Sequence, residues 1–158
     1  MGLARKLSRA LMAIGDRGRS GALAPRGPAV AARTVPAPDG ERIVVAYEPD
    51  IDGAPDPGEV VWAWVSFEDD PAEGKDRPVV VIGRWGAALA GVPLSSRDRP
   101  GDPDRVPVGA GKWDAQRRPS YADVGRVLRL PPASVRREGA ALDRRAFDRV
   151  IDRLEQRG

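Results

Sequence analysis

The stretch GEVVWAWVSFEDDPAEGKDRPVVVIGR, Gly58 to Arg84, sets two short apolar runs on either side of a charged loop. Val79–Ile82 is β-branched throughout and too short for a helix, so it predicts a strand. In the first run Val60, Trp62 and Trp64 alternate with Val61, Ala63 and Val65, which makes both faces of that strand apolar. Such a strand has to be covered on both sides. The chain therefore needs a curled or layered β domain, and its 18 glycines and 16 prolines in 158 residues suit short strands and tight turns better than a helical bundle.

Further short strands are predicted around Arg42–Tyr47, over Ala87–Leu94, in VPVGAG and in GRVLRLP, where Pro131-Pro132 ends the element. Pro93 suits a strand near a sheet edge. Polar loops at Glu68–Asp76, SSRDRPGDPDR and KWDAQRRPS separate them. The clearest helix is C-terminal: Leu142, Phe147, Val150, Ile151 and Leu154 form one stripe, with Asp143 as N-cap. The fold class is mainly β with helices, a small barrel closed at one end by the terminal helix.

Charge divides the chain. Residues 1–45 hold eight basic and three acidic side chains, and residues 46–158 hold eighteen and twenty, so the first part carries about +5 and the second about −2. Leu3, Leu7, Leu11 and Ile14 share one face of a short amphipathic helix, and Gly15–Asp39 has the composition of a linker. Residues 1–45 are thus expected to be a basic, partly disordered arm, and residues 46–158 the folded domain. A basic arm suits a contact with nucleic acid, a partner or anionic lipid. No apolar run reaches the roughly 18–20 residues of a membrane span, which excludes stable membrane insertion and favours a cytoplasmic protein.

The chain has no cysteine and no histidine. Thiolate chemistry, disulfides and a Ser-His-Asp triad are excluded, and proton transfer falls to the remaining side chains or water. Arg77 stands at the mouth of a loop, with Pro78 holding it extended. A planar guanidinium there suits a phosphate, and equally an ion pair with Asp76 or Glu73. Ser95 and Ser96 leave an apolar strand, where they suit a phosphate or ribose oxygen, or a turn cap. Glu68, Asp69, Asp70 and Glu73 are read as a solvated loop rather than a Mg²⁺ site. GAGKWD lacks the spacing of a P-loop. Trp62 and Trp64 are expected in the core, which leaves Trp85 and Trp113 as platforms for stacked bases.

In order, these pieces resemble the PemK/MazF family of toxin–antitoxin systems. DPGEVVWAWV resembles its opening strand, DRPVVVIGR its Arg-Pro-apolar run and GVPLSS its third strand; GRVLRLPPASV and the Leu142–Leu154 helix follow in place. The resemblance covers roughly residues 57–156. It implies an SH3-like β-barrel, a homodimer, a cognate antitoxin protein as partner, and cleavage of single-stranded RNA by attack of the ribose 2′-OH, with no metal and no cofactor. Arg77 matches the arginine on the scissile phosphate and Ser95 the hydroxyl that binds it, which makes these two the catalytic candidates. Ser96, Asp76 and Glu73 are secondary, substrate-binding candidates. Gly125 falls where the family is usually acidic, so the resemblance names no base. The alternative to a nuclease is the same barrel without catalysis, binding DNA, RNA or a protein; a gyrase poison is one form of that by fold analogy alone.

Overall fold

The structure, a computed structural model, describes residues 33–50 and 55–158. The expected Leu3–Ile14 helix and most of the linker lie outside the described residues. Strands β1 (Thr34–Pro36) and β2 (Arg42–Val45) come first, then β3 (Glu59–Ser66), β4 (Gly74–Trp85) and β5 (Ala88–Ser95). Next are β6 (Arg105–Gly109), β7 (Ser120–Asp123), β8 (Leu128–Leu130), a 3-10 turn at Pro132–Ser134 and β9 (Arg136–Ala141). Helix α1 (Arg144–Arg157) closes the chain, and the Asp143 carboxylate accepts from the Arg145 and Ala146 N–H groups at 3.1 and 3.3 Å.

All pairings are antiparallel, and the sheet curls into a half-barrel around β4 and β5. The twelve-residue β4 pairs with β3 over Gly74–Val80 and with β2 at Gly83 and Arg84. Its other edge pairs with β5. The β2 backbone approaches so closely that a Cβ on Gly83 would lie 2.0 Å from the Val44 carbonyl oxygen. β5 is no edge strand, contrary to the reading of Pro93: it carries β8 along Leu89–Gly91 and β7 at Leu94 and Ser95. Pro93 falls in the gap between those two partners, where no ladder bond is lost to its missing N–H.

Apolar alternation divides the core as expected. Val60, Val80, Ile82 and Val92 point to the α1 side, against Phe147, Val150, Ile151 and Leu154. Val61, Ala63, Val65, Val79 and Val81 point the other way, against Leu89 and Leu130. Both faces are buried over Val60 and Val61 of β3 and over Val79–Ile82 of β4, which accounts for the unbroken apolar run of β4.

The sheet also begins earlier than the arm boundary at residue 45 suggests. β1 and β2 form a hairpin, although Thr34–Pro36 has linker composition. Its stability comes from pairing and packing: Val35 and Ile43 are fully buried in the core on the α1 side. The Arg33 guanidinium then reaches Asp152 and Glu155 on α1 at 2.5 and 2.8 Å.

Candidate functional site

Strand register assembles the site. Val79 lies opposite Pro93, so two residues further along Arg77 faces Ser95. Directly opposed residues of an antiparallel pair project from the same face. The same face continues across two more strands. Leu94 is opposite Ala122, which sets Asp123 of β7 level with Pro93, and Arg105 of β6 is opposite Asp123. Arg77, Ser95, Asp123 and Arg105 thus stand on one side of four neighbouring strands.

Two cavities meet at Arg77. One, of about 460 Å³, is lined by Trp62, Asp76, Pro78 and Ser96 and by Lys112, Asp114 and Arg118 of the β6–β7 loop. The other, of about 360 Å³, is lined by Phe67, Glu68 and Asp69 and by Arg99, Arg105, Asp123 and Arg126. Arg77, Leu94 and Ser95 belong to both walls.

Arg77 is half-buried and, among the described residues, has no ion pair or hydrogen bond from its guanidinium. The alternative of an ion pair with Asp76 or Glu73 is not realised. Asp76 lines the first cavity but turns to Arg136 at 3.1 Å. Glu73 is exposed in the β3–β4 turn and lines neither cavity. Burial, then the charges of Arg126 and Arg105, lowers the Arg77 pKa from its ordinary value. Asp123 offsets this positive field only in part, and the remainder favours an anion beside Arg77.

Neither neighbouring arginine is tightly neutralised. Arg105 is 3.8 Å from both Asp102 and Asp123, and its buried Nε has no hydrogen-bond partner. Arg126 is 4.0 Å from Glu68. The Ser95 hydroxyl accepts from the Arg97 N–H at 3.1 Å, so it caps the turn and keeps its own O–H to donate. Ser96 is exposed at the rim of the first cavity. In the loop after β3, Asp70 caps its own turn through the Ala72 N–H. Among the described residues no three carboxylates gather in a way that could hold a metal ion.

The tryptophans reverse their expected places. Trp85 and Trp113 are buried, at 5 and 4 % exposure. Trp113 donates its indole N–H to the Ser120 hydroxyl at 2.9 Å. Trp64 is 55 % exposed, and Trp62 lines the first cavity with its buried N–H unpartnered. Alternation correctly puts Trp62 and Trp64 on one face with Val60. That face is covered by α1 near Val60 and opens into the cavity further along. Arg105, Asp123 and Arg126 were not singled out from the sequence, because only the pairing of β5, β6 and β7 brings them to Arg77.

The sequence model of the family described as "PemK-like, MazF-like toxin of type II toxin-antitoxin system" matches residues 56–157. No curated protein shows significant similarity to the chain. Among solved structures, MazF from Deinococcus radiodurans (Form-I) is similar with a TM-score of 0.53 and 20 % identity, covering 66 % of this chain and 96 % of that one. A MazE-MazF structure from the same organism (Form-II) gives a TM-score of 0.51 at 20 % identity, with the same coverage. The matched span leaves the β1–β2 hairpin outside it.

Proposed function

The chain belongs to the PemK-like, MazF-like toxin family of type II toxin–antitoxin systems, and from that premise we propose that it is a metal-independent endoribonuclease acting on single-stranded RNA. The observation that carries this reading is the unpaired Arg77, set opposite Ser95 where two cavities join. A phosphodiester seated there meets a bidentate guanidinium and a hydroxyl donor. The bases on either side have room in the two cavities.

Attack by the ribose 2′-oxygen on the adjacent phosphorus builds negative charge on the non-bridging oxygens. Arg77 is already partly desolvated and its backbone is fixed by β4, so it stabilises that charge with little reorganisation. Ser95 donates a second hydrogen bond, and Ser96 holds the neighbouring ribose or phosphate. Trp62 supplies an aromatic wall for a base. Asp76, held by Arg136, shapes the cavity wall, and Glu73 has no direct part. The products are a 2′,3′-cyclic phosphate and a 5′-OH.

In this reading the toxin works in the cytoplasm as a homodimer and is silenced by a small antitoxin protein. The MazE-MazF complex among the similar folds supports such a partner. Residues 1–32, with six basic side chains and one acidic one, add a sequence-independent contact to the RNA. The test is incubation of the purified full chain with unstructured RNA, with and without EDTA. Cleavage in both supports the reading; binding without cleavage would instead support an inactive nucleic-acid-binding barrel.

A further inference from the structure

We infer that the β6–β7 loop turns the first cavity into a reader of the base beside the scissile phosphate, selecting the carbonyl-bearing bases guanine and uracil over adenine and cytosine. This role rests on the nuclease reading above and specifies which bases the site accepts. The loop carries GAGKWD, whose glycines and lysine lack the spacing of a P-loop, and runs on through Arg118 to the start of β7. Lys112, Asp114, Gln116 and Arg118 from this loop line the cavity.

The loop is built to hold its shape. Trp113 is buried and donates its indole N–H to Ser120 Oγ at 2.9 Å, which pins the loop to the first residue of β7. Gly111 lets the ring fold back beneath the chain, since a Cβ there would lie 2.1 Å from Trp113 Cζ3. Two turns follow: the Asp114 N–H donates to the Gly111 carbonyl at 3.2 Å, and the Arg117 N–H to the Asp114 carbonyl at 2.8 Å. The Asp114 carboxylate then accepts from the Gln116 N–H at 2.9 Å and from Arg118 Nε at 2.8 Å. A loop closed on itself in this way presents Lys112 and Arg118 to the cavity from a fixed backbone.

Donors and acceptors are unequally available in this cavity. Its carboxylates are Asp76 and Asp114, and all four of their oxygens already face a donor. Asp76 takes the two Nη groups of Arg136, at 3.5 and 3.1 Å. Ser120 Oγ is taken by Trp113. On the donor side, Lys112 has no ion-pair partner among the described residues. Arg118 spends its Nε–H on Asp114 and keeps both Nη groups. Lysine and arginine side chains donate and do not accept. Gln116, exposed at the rim, carries one group of each kind and favours neither.

A base lying against Trp62 therefore meets charged donors whose neighbouring acceptors are occupied. Guanine offers O6 and N7 to such a surface, and uracil offers O4. Adenine and cytosine present an amino group in the same place. Set against Lys112 and Arg118, that amino group loses its water without gaining an acceptor, and this loss is what separates the two classes of base. The volume of about 460 Å³ admits a purine or a pyrimidine, so hydrogen bonding rather than size makes the choice. The second cavity has no such bias, because Glu68, Asp69 and Asp123 add acceptors to its arginines. Selection by carbonyl groups is thus confined to one side of the cut.

The experiment maps the cut sites of the full-length protein on random-sequence RNA, then measures single-turnover cleavage of oligonucleotides that differ only at the base flanking the cut. Guanine or uracil is expected at one fixed flanking position. Replacing guanine there by 2-aminopurine, or uracil by cytosine, should slow cleavage about 10- to 100-fold, and the pair of replacements tells which carbonyl base is read. In Lys112→Met and Arg118→Met the ratio of rates between carbonyl and amino bases should shrink to within about threefold. Melting temperatures taken alongside show that the loop still folds, and a merely weakened protein would slow both substrates alike. Cut sites with no preference for guanine or uracil at either flanking position overturn the role, and so does a ratio unchanged in both variants. A uniform loss of affinity across all sequences in the variants, with a shallower salt dependence, overturns it too, because the cations then bind backbone phosphate. A native chain that cleaves no RNA overturns the nuclease reading itself, which separates the two failures.

Discussion

Arg77 of β4 faces Ser95 of β5 across the end of their ladder, and the two side chains form the partition between adjoining cavities. A planar fork and a hydroxyl in that relation favour a tetrahedral anion over a point charge. Arg77→Lys is therefore expected to lose most cleavage although it keeps the charge. Ser95→Ala should lower cleavage by about tenfold, the loss of roughly one hydrogen bond, and Ser95→Thr should restore it. Cleavage rates of the three variants on one oligonucleotide check this.

The tryptophans separate stability from affinity. Trp64→Ala removes an exposed ring and should leave the melting temperature nearly unchanged, while weakening RNA binding by up to about 1–3 kcal/mol if a base stacks there. Trp85→Ala removes a buried ring and should cost about 3–5 kcal/mol of stability. Denaturant melts and RNA titrations on the same preparations distinguish the two effects.

Arg33 fastens the β1–β2 hairpin to α1 through Asp152 and Glu155. The hydrogen bond from Arg33 lowers the Glu155 pKa below its ordinary 4.5. A carboxylate with a lowered folded-state pKa contributes stability above its unfolded pKa and loses it as pH falls through the folded one. Arg33→Gln should thus melt slightly below the native chain at pH 7. The gap should narrow as the pH drops below about 4.5, a pattern that paired thermal melts will show.

Removal of residues 1–32 deletes six basic side chains and retains every described strand. RNA affinity should fall at low salt, and the slope of log affinity against log salt should become shallower, by about 0.7 for each phosphate that the arm no longer neutralises. An unchanged slope would place all phosphate binding on the folded domain.

Much of this architecture was legible because local pattern and tertiary environment agree. The runs at Val60–Val65 and Val79–Ile82 are strands, the second buried on both faces, and Phe147, Val150, Ile151 and Leu154 are the helix stripe that covers one side. The β1–β2 hairpin was hidden, since three residues ending in proline carry no period and gain their order from the edge of β4. For Trp62 and Trp64 the alternation gives the right face and the wrong environment. Alternation tells which side a residue points to, whereas the curl of the sheet decides how far along the strand that side stays covered. Arg77 and Ser95 could be picked out because each ends a recognisable run. Arg105, Asp123 and Arg126 could not, because their meeting depends on the register of β5 with β7 and of β7 with β6.

The most direct measurement is end-group analysis of RNA incubated with the native chain and with Arg77→Gln in the presence of EDTA. A nuclease working through Arg77 leaves 2′,3′-cyclic phosphate and 5′-hydroxyl ends with the native chain, and at least about a hundredfold fewer with the variant. Intact RNA with the native chain, 5′-phosphate ends, or equal cleavage by Arg77→Gln would contradict it.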